Sequence, residues 1–211
     1  MCEPSDLSTW REVFVLIFYP KNRTMAYRNA AIKEKAVISN YKGVNVGYSV
    51  DTECIEGAWD DRDCLGVMKF ANPRLTKLWL ESDHPFRQQD FLDQVEIIIV
   101  PLKKSDMSQK GYPIIELSNL QVNFMDMYER EYIPQLQCEV EKYGAVPLIA
   151  CQNEPWKWRA RNPHGCIIIN QWPDWESYRR YFCSSEAKKL MDLRKTIGGG
   201  YKIATTLITD M

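Results

Sequence analysis

Histidine is the scarcest chemistry-bearing residue in this 211-residue chain, with only His84 and His164. Neither falls in a spacing with cysteines or carboxylates that would hold zinc or haem, so no metal and no cofactor is expected. Charge of one sign is equally absent. The 27 basic and 28 acidic residues are interspersed and leave a net −1. No basic field exists to track a phosphate backbone, which speaks against a nucleic-acid partner. No long apolar run occurs either. Val13 to Tyr19 is too short for a membrane span and too broken for a leader, so neither membrane nor export is expected. The seven cysteines are odd in number, dispersed and without a CxxC pair, which fits reduced thiols and a cytoplasmic location. No Ser-His-Asp order is present. Gly198-Gly199-Gly200 precedes a strand pattern, so it reads as a flexible turn and not as a phosphate cradle.

What the chain does contain is an internal echo. Tyr41-Lys42-Gly43-Val44 returns as Tyr143-Gly144-Ala145-Val146, and the same offset lays Val13 to Phe18 on Ile115 to Leu120 and Leu65 to Phe70 on Ile167 to Trp172. A repeat of about a hundred residues is too long for a solenoid unit and reads as a duplicated small domain. The two units would be residues 1–103 and 112–211, joined by a short polar linker.

Periodicity gives each half the same order. In the first, strands are expected at Trp10 to Tyr19, Val44 to Thr52, Leu65 to Phe70 and Val95 to Val100. A helix over Asn22 to Asn40 would bury Met25, Ala26, Ile32, Ala36 and Val37; a second over Pro73 to Asp93 is opened by Asn72 as cap and Pro73 in its first turn. Residues 55–63 read as a charged loop. In the second half, strands are expected at Ile114 to Gln121, Val146 to Gln152, Cys166 to Trp172 and Tyr201 to Thr209, with helices over Phe124 to Lys142 and Asp174 to Thr196. Pro134 inside the former should kink it or strand a carbonyl, at about 3 kcal/mol if uncompensated.

Each half is thus an α+β unit of ferredoxin-like βαββαβ type, a four-stranded antiparallel sheet with helices on one face. The other face is apolar. Two tandem repeats packed sheet to sheet would bury it and make a pseudo-dimer within one chain, an intramolecular α/β barrel that could still oligomerise further.

Ser184-Ser185-Glu186-Ala187, then Leu190 and Arg194, resembles the second-helix motif Ser-Pro-Glu-Tyr…Leu…Arg of a small branch, of unassigned function, in the dimeric α/β-barrel superfamily. Ser185 and Ala187 depart from the Pro and Tyr. The helix from Tyr128 to Tyr143-Gly144 is similar to that branch's Tyr-rich helix, and Glu56-Gly57-Ala58-Trp59 to its Glu-Gly-x-Trp. The likeness is split. The first half keeps Glu-Gly-x-Trp without an Arg after Ser82, and the second keeps the Ser-to-Arg helix without Glu-Gly-x-Trp. That superfamily hosts cofactor-free monooxygenases, haem peroxidases, isomerases, cyclases and ligand sensors, so the resemblance implies fold more than chemistry.

Candidate site residues follow from residue type. His84, in Ser82-Asp83-His84-Pro85, titrates near neutrality and suits a general base; the alternative is a surface or capping residue. Glu56 beside Trp59 could be an acid against an apolar ring, or an exposed turn residue. Trp158 and Arg159, in the alternating Trp156-Lys157-Trp158-Arg159, could stack on and clamp a planar or anionic ligand, or plug the barrel while the cations reach water. Arg194 could hold a carboxylate between helix and sheet, or pair with Glu186 or Asp192 outside. Tyr132, Asn170 and Tyr181 are pocket polar groups or satisfied core residues. His164, in Asn162-Pro163-His164-Gly165, reads as a turn residue.

Three function classes remain open. The first is a protein that binds a small apolar, aromatic or carboxylate ligand. The second is a cofactor-independent monooxygenase or isomerase acting on small aromatic or keto compounds. There Tyr132, Asn170 and Arg194 would orient substrate, and His84 or Glu56 would move the proton. The third is a protein-interaction scaffold without catalysis.

Overall fold

A computed structural model describes residues 10–59, 63–83, 86, 95–102, 111–151, 155–160 and 164–209. The first half runs β1 (Val13–Pro20), α1 (Thr24–Asn40), β2 (Gly43–Tyr48), β3 (Glu53–Glu56), β4 (Asp63–Phe70), α2 (Pro73–Glu81) and β5 (Glu96–Pro101). The second runs β6 (Ile114–Val122), α3, β7 (Val146–Ala150), β8 (Trp156–Arg159), β9 (Cys166–Trp172), α4 (Trp175–Phe182), α5 (Ser185–Ile197) and β10 (Gly198–Thr206). Helix α3 comprises Met125–Met127, a π-helical turn at Tyr128–Tyr132 and Ile133–Lys142.

The strands form two antiparallel sheets of five, in the orders β2-β4-β1-β5-β8 and β3-β10-β6-β9-β7. The fifth strand of each sheet comes from the other half. β3 pairs with β10, Lys202 opposite Glu56, and β8 pairs with β5, Ile99 opposite Trp156. This corrects the expectation of four-stranded sheets with loops at 55–63 and around 156–159. Both strands are only four residues long and largely polar outward, so their pairing is set by the partner edge and not by an apolar pattern of their own.

The two sheets face each other. Phe14, Leu16, Phe18, Leu65, Val67, Ile98 and Val100 of one pack with Ile115, Leu117, Leu148, Ile149, Ile167, Ile169 and Ile203 of the other in one continuous core. Alternate residues of the same strands face the helices, where each sheet has a second core. The fold is therefore the tandem ferredoxin-like α/β barrel, filled by branched and aromatic side chains. Exchange reaches into the helix-side cores too. Trp156 of the second half is buried in the first half's core, and Ile55 of the first half packs on the second's.

Local expectations fare unevenly. Asn72 caps α2, accepting from Leu75 N at 2.9 Å, but the helix stops at Glu81, where Ser82 N–H returns to Leu78 and Trp79 carbonyls. Most of the remainder of the expected helix lies outside the described residues. On α1 the buried face is Tyr27, Ala30, Ala31, Glu34 and Ile38, while Met25 and Ile32 are exposed. Tyr27 selects that face: it stacks on Tyr19 at 4.5 Å and lies over Gly66, where a side chain would collide with its ring. Pro134 is compensated. The helix runs on without a break, and the π-turn, closed by Ile133 N–H bonded to Tyr128 O, is the local widening just before Pro134 that accommodates its ring and missing N–H. The expected single helix 174–196 is two, because Ser184 breaks the first and caps the second through Ala187 N at 3.0 Å. Gly198-Gly199-Gly200 is strand and not a turn; a Cβ at Gly200 would strike Asn119 O on the adjacent strand. No helix among the described residues is long and apolar enough to cross a membrane.

Trp156→Ala should cost about 3–5 kcal/mol, as for other large buried aromatics. Because that side chain ties two halves, near-UV circular dichroism and fluorescence should follow one shared melting transition in wild type and variant; two separable transitions would contradict the exchange. Glu34 is buried, with Trp79 Nε1 donating to it at 2.5 Å, and burial raises its pKa. The folded state then holds the proton more tightly than the unfolded one. Stability should fall as pH rises from the ordinary glutamate value through the raised one. Glu34→Gln should flatten that slope in pH-dependent melts.

Candidate functional site

Charged residues rarely enter the middle of an apolar strand, yet Glu116 follows Ile114-Ile115 in β6 and Lys202 precedes Ile203-Ala204 in β10. Both point to the helix side of the second sheet, 2 % and 4 % exposed. Lys202 Nζ lies 3.0 Å from Glu116 Oε1. Glu116 Oε2 accepts from Asn170 Nδ2 and Trp172 Nε1, each at 3.1 Å. Burial, the largest single influence, would depress the lysine, but Glu116 together with Tyr132, Tyr181 and Tyr178 outweighs it and holds Lys202 above its ordinary value.

A second buried pair adjoins the first. Arg194, near the end of α5, is 2 % exposed and places Nη1 2.9 Å from Glu56 Oε1, while Nη2 donates to Tyr201 O at 3.2 Å. Glu56 arrives on the exchanged strand β3. Gly57 fixes that arrival: its φ of +80° suits glycine, and a Cβ there would collide with Gly200 O.

Tyr132, Tyr178 and Tyr181 wall the cluster. Burial raises the pKa of each, and for Tyr132 the cations Lys202 and Arg194 oppose the rise while Glu116 and Glu56 add to it. One hydroxyl therefore feels all four charges. Trp172 contacts Tyr181 at 5.1 Å and Tyr178 at 5.2 Å. Tyr132 is delivered by the π-turn of α3, a distortion that recurs at functional sites. Three buried polar atoms here have no partner among the described residues: Arg194 Nε, Glu56 Oε2 and Tyr178 OH. Unpaired buried polar atoms are uncommon, and several in one cluster mark a place for a polar ligand or water.

Of the residues singled out from sequence, Glu56, Tyr132, Asn170, Tyr181 and Arg194 meet in this cluster. Glu56 is not an exposed turn residue, and Arg194 pairs with neither Glu186 nor Asp192. Trp158 and Arg159 lie elsewhere, on β8 at the edge of the other sheet, with Trp158 against Trp156. Trp59 wedges between Phe18 and Tyr201, at 5.8 and 4.8 Å, in the seam between sheets. His84 lies outside the described residues. Sequence reasoning missed Glu116, Lys202, Trp172 and Tyr178. The lone charge within an apolar strand was the available signal for the first two.

His164 is not a simple turn residue either. It is 2 % exposed, stacked on Phe18, with Nε2 2.9 Å from Glu96 Oε2 and Nδ1 3.3 Å from Asn119 Nδ2. Asn119 Oδ1 accepts from Gly165 N, which turns the amide nitrogen toward the ring. Both imidazole nitrogens are thus engaged, so this histidine is not presented to a haem iron or a substrate. Among the described residues no group of three His, Cys, Asp or Glu side chains is arranged to hold a metal.

The first half is apolar where the second is charged. Glu116 on the central strand β6 opposes Asn170 and Ala204. Its structural counterpart on β1 is Val15 and not Phe14, a one-residue correction to the sequence offset because Phe14 faces the other sheet, and Val15 opposes Met68 and Ile99. Lys202 opposes Ser118, and its counterpart Ile97 opposes Ile17. Val15, Met68 and Ile97 belong to a core filled by Tyr27, Trp79, Phe86 and Trp156.

No protein-family profile matches the sequence, and no curated protein matches it. Among solved structures the chain is similar to a candidate monooxygenase from Lactobacillus acidophilus, at TM-score 0.57 and 13 % identity over 95 % of both chains. It is also similar to an anthrone oxidase-like protein, at TM-score 0.57 and 10 % identity over 96 % of this chain and 93 % of that one. A cyanide complex of a chlorite dismutase variant from Candidatus Nitrospira defluvii matches at TM-score 0.52 and 8 % identity, covering 99 % and 96 %. At such identities the likeness is one of fold, the dimeric α/β barrel.

Removing one partner of the buried Glu116–Lys202 pair should be costly. Glu116→Leu or Lys202→Met alone is expected to lose about 3–5 kcal/mol in urea unfolding, and the double variant to regain most of it. Additive losses would mean the two charges do not depend on each other.

Proposed function

We propose that the second half binds one small aromatic molecule bearing oxygen substituents, and that the first half serves as scaffold. The observation that carries this reading is the contrast between equivalent positions: Glu116, Asn170 and Lys202 in one half, Val15, Met68 and Ile97 in the other. Buried ion pairs seldom improve stability over apolar packing, so retaining two of them beside unpartnered polar atoms favours a role in binding. Tyrosine and tryptophan walls suit a planar ring, and Tyr132, Asn170, Tyr181 and Arg194 suit its oxygens.

In this reading residues 1–103 and 112–211 descend from one duplicated unit, which their matching element order supports. One copy carries buried charge between sheet and helices and the other carries apolar side chains there. Trp59, Trp158 and Arg159 then serve packing more than binding. Among the described residues no two cysteines form a disulfide, which suits a reducing, cytoplasmic setting. No nucleic acid is a proposed partner, and the chain needs no second copy to complete its site.

A second reading, cofactor-independent oxygenation, is favoured by Glu56 Oε2, an unpartnered carboxylate oxygen beside a guanidinium. The names of two fold neighbours, a candidate monooxygenase and an anthrone oxidase-like protein, point the same way. The balanced change would be a ring CH2 plus O2 giving a carbonyl plus water. Glu56 would take the first proton, and Arg194 would stabilise the enolate left behind.

Titration with 1,8-dihydroxyanthrone, read by tryptophan fluorescence, tests the binding claim, with native mass spectrometry giving stoichiometry. One saturable site per chain is expected, weakened about tenfold or more in Asn170→Leu and Tyr132→Phe, or roughly 1.4 kcal/mol. Two equivalent sites, or none up to the solubility limit, would refute it.

A further inference from the structure

The charges around the second-half site sum to zero, and the balance selects its ligand. Four elements supply the charges, Glu116 from β6, Lys202 from β10, Arg194 from α5 and Glu56 from β3, while α3, α4 and β9 face them with the neutral Tyr132, Tyr178, Tyr181, Asn170 and Trp172. Each cation already faces a carboxylate at 2.9 or 3.0 Å. Further out, Glu53 adds negative potential at Tyr178 and Glu139 at Tyr181. The site has an arginine, but not a spare positive charge.

Hydrogen-bonding capacity narrows the choice further. Arg194 Nε carries a proton and can only donate; Glu56 Oε2, as a carboxylate oxygen, accepts; Tyr178 OH can do either. A ligand satisfying all three must bring an acceptor oxygen for the guanidinium and a hydroxyl for the carboxylate. A ligand carboxylate would serve Arg194, yet would set oxygen against oxygen at Glu56 and leave three buried anions to two cations. Uncompensated buried charge is among the most expensive arrangements a protein can hold.

We infer that the site takes a neutral hydroxyaryl ketone and rejects aryl carboxylates, and that Glu56, lent by the other half of the chain, is the residue that imposes this selection. The inference rests on the binding role proposed above and fixes the charge class of the ligand. It also assigns Arg194 a shared role. The guanidinium balances Glu56 while the ligand is neutral, and would balance the ligand once a proton had passed to Glu56. The net charge of the site stays constant through that transfer.

Two probes of similar shape separate the classes: 1,8-dihydroxyanthrone, neutral at pH 7, and anthracene-9-carboxylate. Wild type should bind the neutral probe at least about tenfold more tightly, equivalent to 1.4 kcal/mol. Glu56→Gln removes one negative charge, frees Arg194 and should reverse the preference toward the carboxylate. Arg194→Gln should move selectivity the opposite way and exclude the carboxylate more strongly. Far-UV circular dichroism checks the fold of each variant, and either folded variant alone decides the direction. A wild type that prefers the carboxylate, or folded variants with unchanged selectivity, would overturn the inference while leaving the binding role intact. Failure of wild type and both variants to bind either probe would instead remove the binding role itself.

Discussion

Reciprocal strand exchange is the constraint on which the rest of the structure depends. β3 leaves the first half to pair with β10, and β8 leaves the second to pair with β5. Each sheet is finished by the other half, and the apolar faces of both are buried against each other. A ferredoxin-like sheet alone would expose that face to water. Covalent attachment places the second sheet at an effective concentration in about the millimolar range, so the pairing needs no second chain. The exchange also does local work: Trp156 fills the first half's core, while Glu56 supplies a charge to the second's.

The same architecture tolerates two very different interiors. In the first half the space between sheet and helices is closed by aromatics, with Tyr27 on Gly66 and Trp79 against Phe70 at 5.0 Å. In the second half it holds two ion pairs ringed by tyrosines. Apolar packing costs nothing in desolvation, whereas each buried pair gives up hydration that its partner only partly restores. The π-turn of α3, the glycine at position 57 and the bulge between Lys202 and Ile203 all lie around the charged interior. Irregular backbone of this kind is tolerated where it positions groups.

Much of the fold is legible in the residues. β9 occupies its expected limits because Ile167 to Ile169 give Cys166 to Trp172 a β-branched apolar centre that Asn170 and Gln171 do not break, and Asn72-Pro73 starts α2 by a local hydrogen bond. The exchanged strands are not legible. Glu53–Glu56 and Trp156–Arg159 carry too few apolar residues to set a period, and nothing local names an edge on the far sheet as partner. The face of α1 is misleading for a related reason. Met25 and Ile32 form an apolar stripe, but a tyrosine stacked over a glycine on another strand decides which side turns inward. Within the candidate site, residue type alone selects Glu56, Tyr132, Asn170, Tyr181 and Arg194. It misses Glu116 and Lys202, which lie far apart in sequence and meet only through the register of β6 with β10. His164 is missed because its partner Glu96 belongs to the other half.

The account stands or falls on a first-half residue completing a second-half site. A crystal structure of the protein with 1,8-dihydroxyanthrone examines that directly. The ring should lie among Tyr132, Tyr178, Tyr181 and Trp172, with one oxygen on Arg194 Nε and a hydroxyl on Glu56 Oε2. Density for the compound in the first half, or in the second half without contact to Glu56, would contradict it.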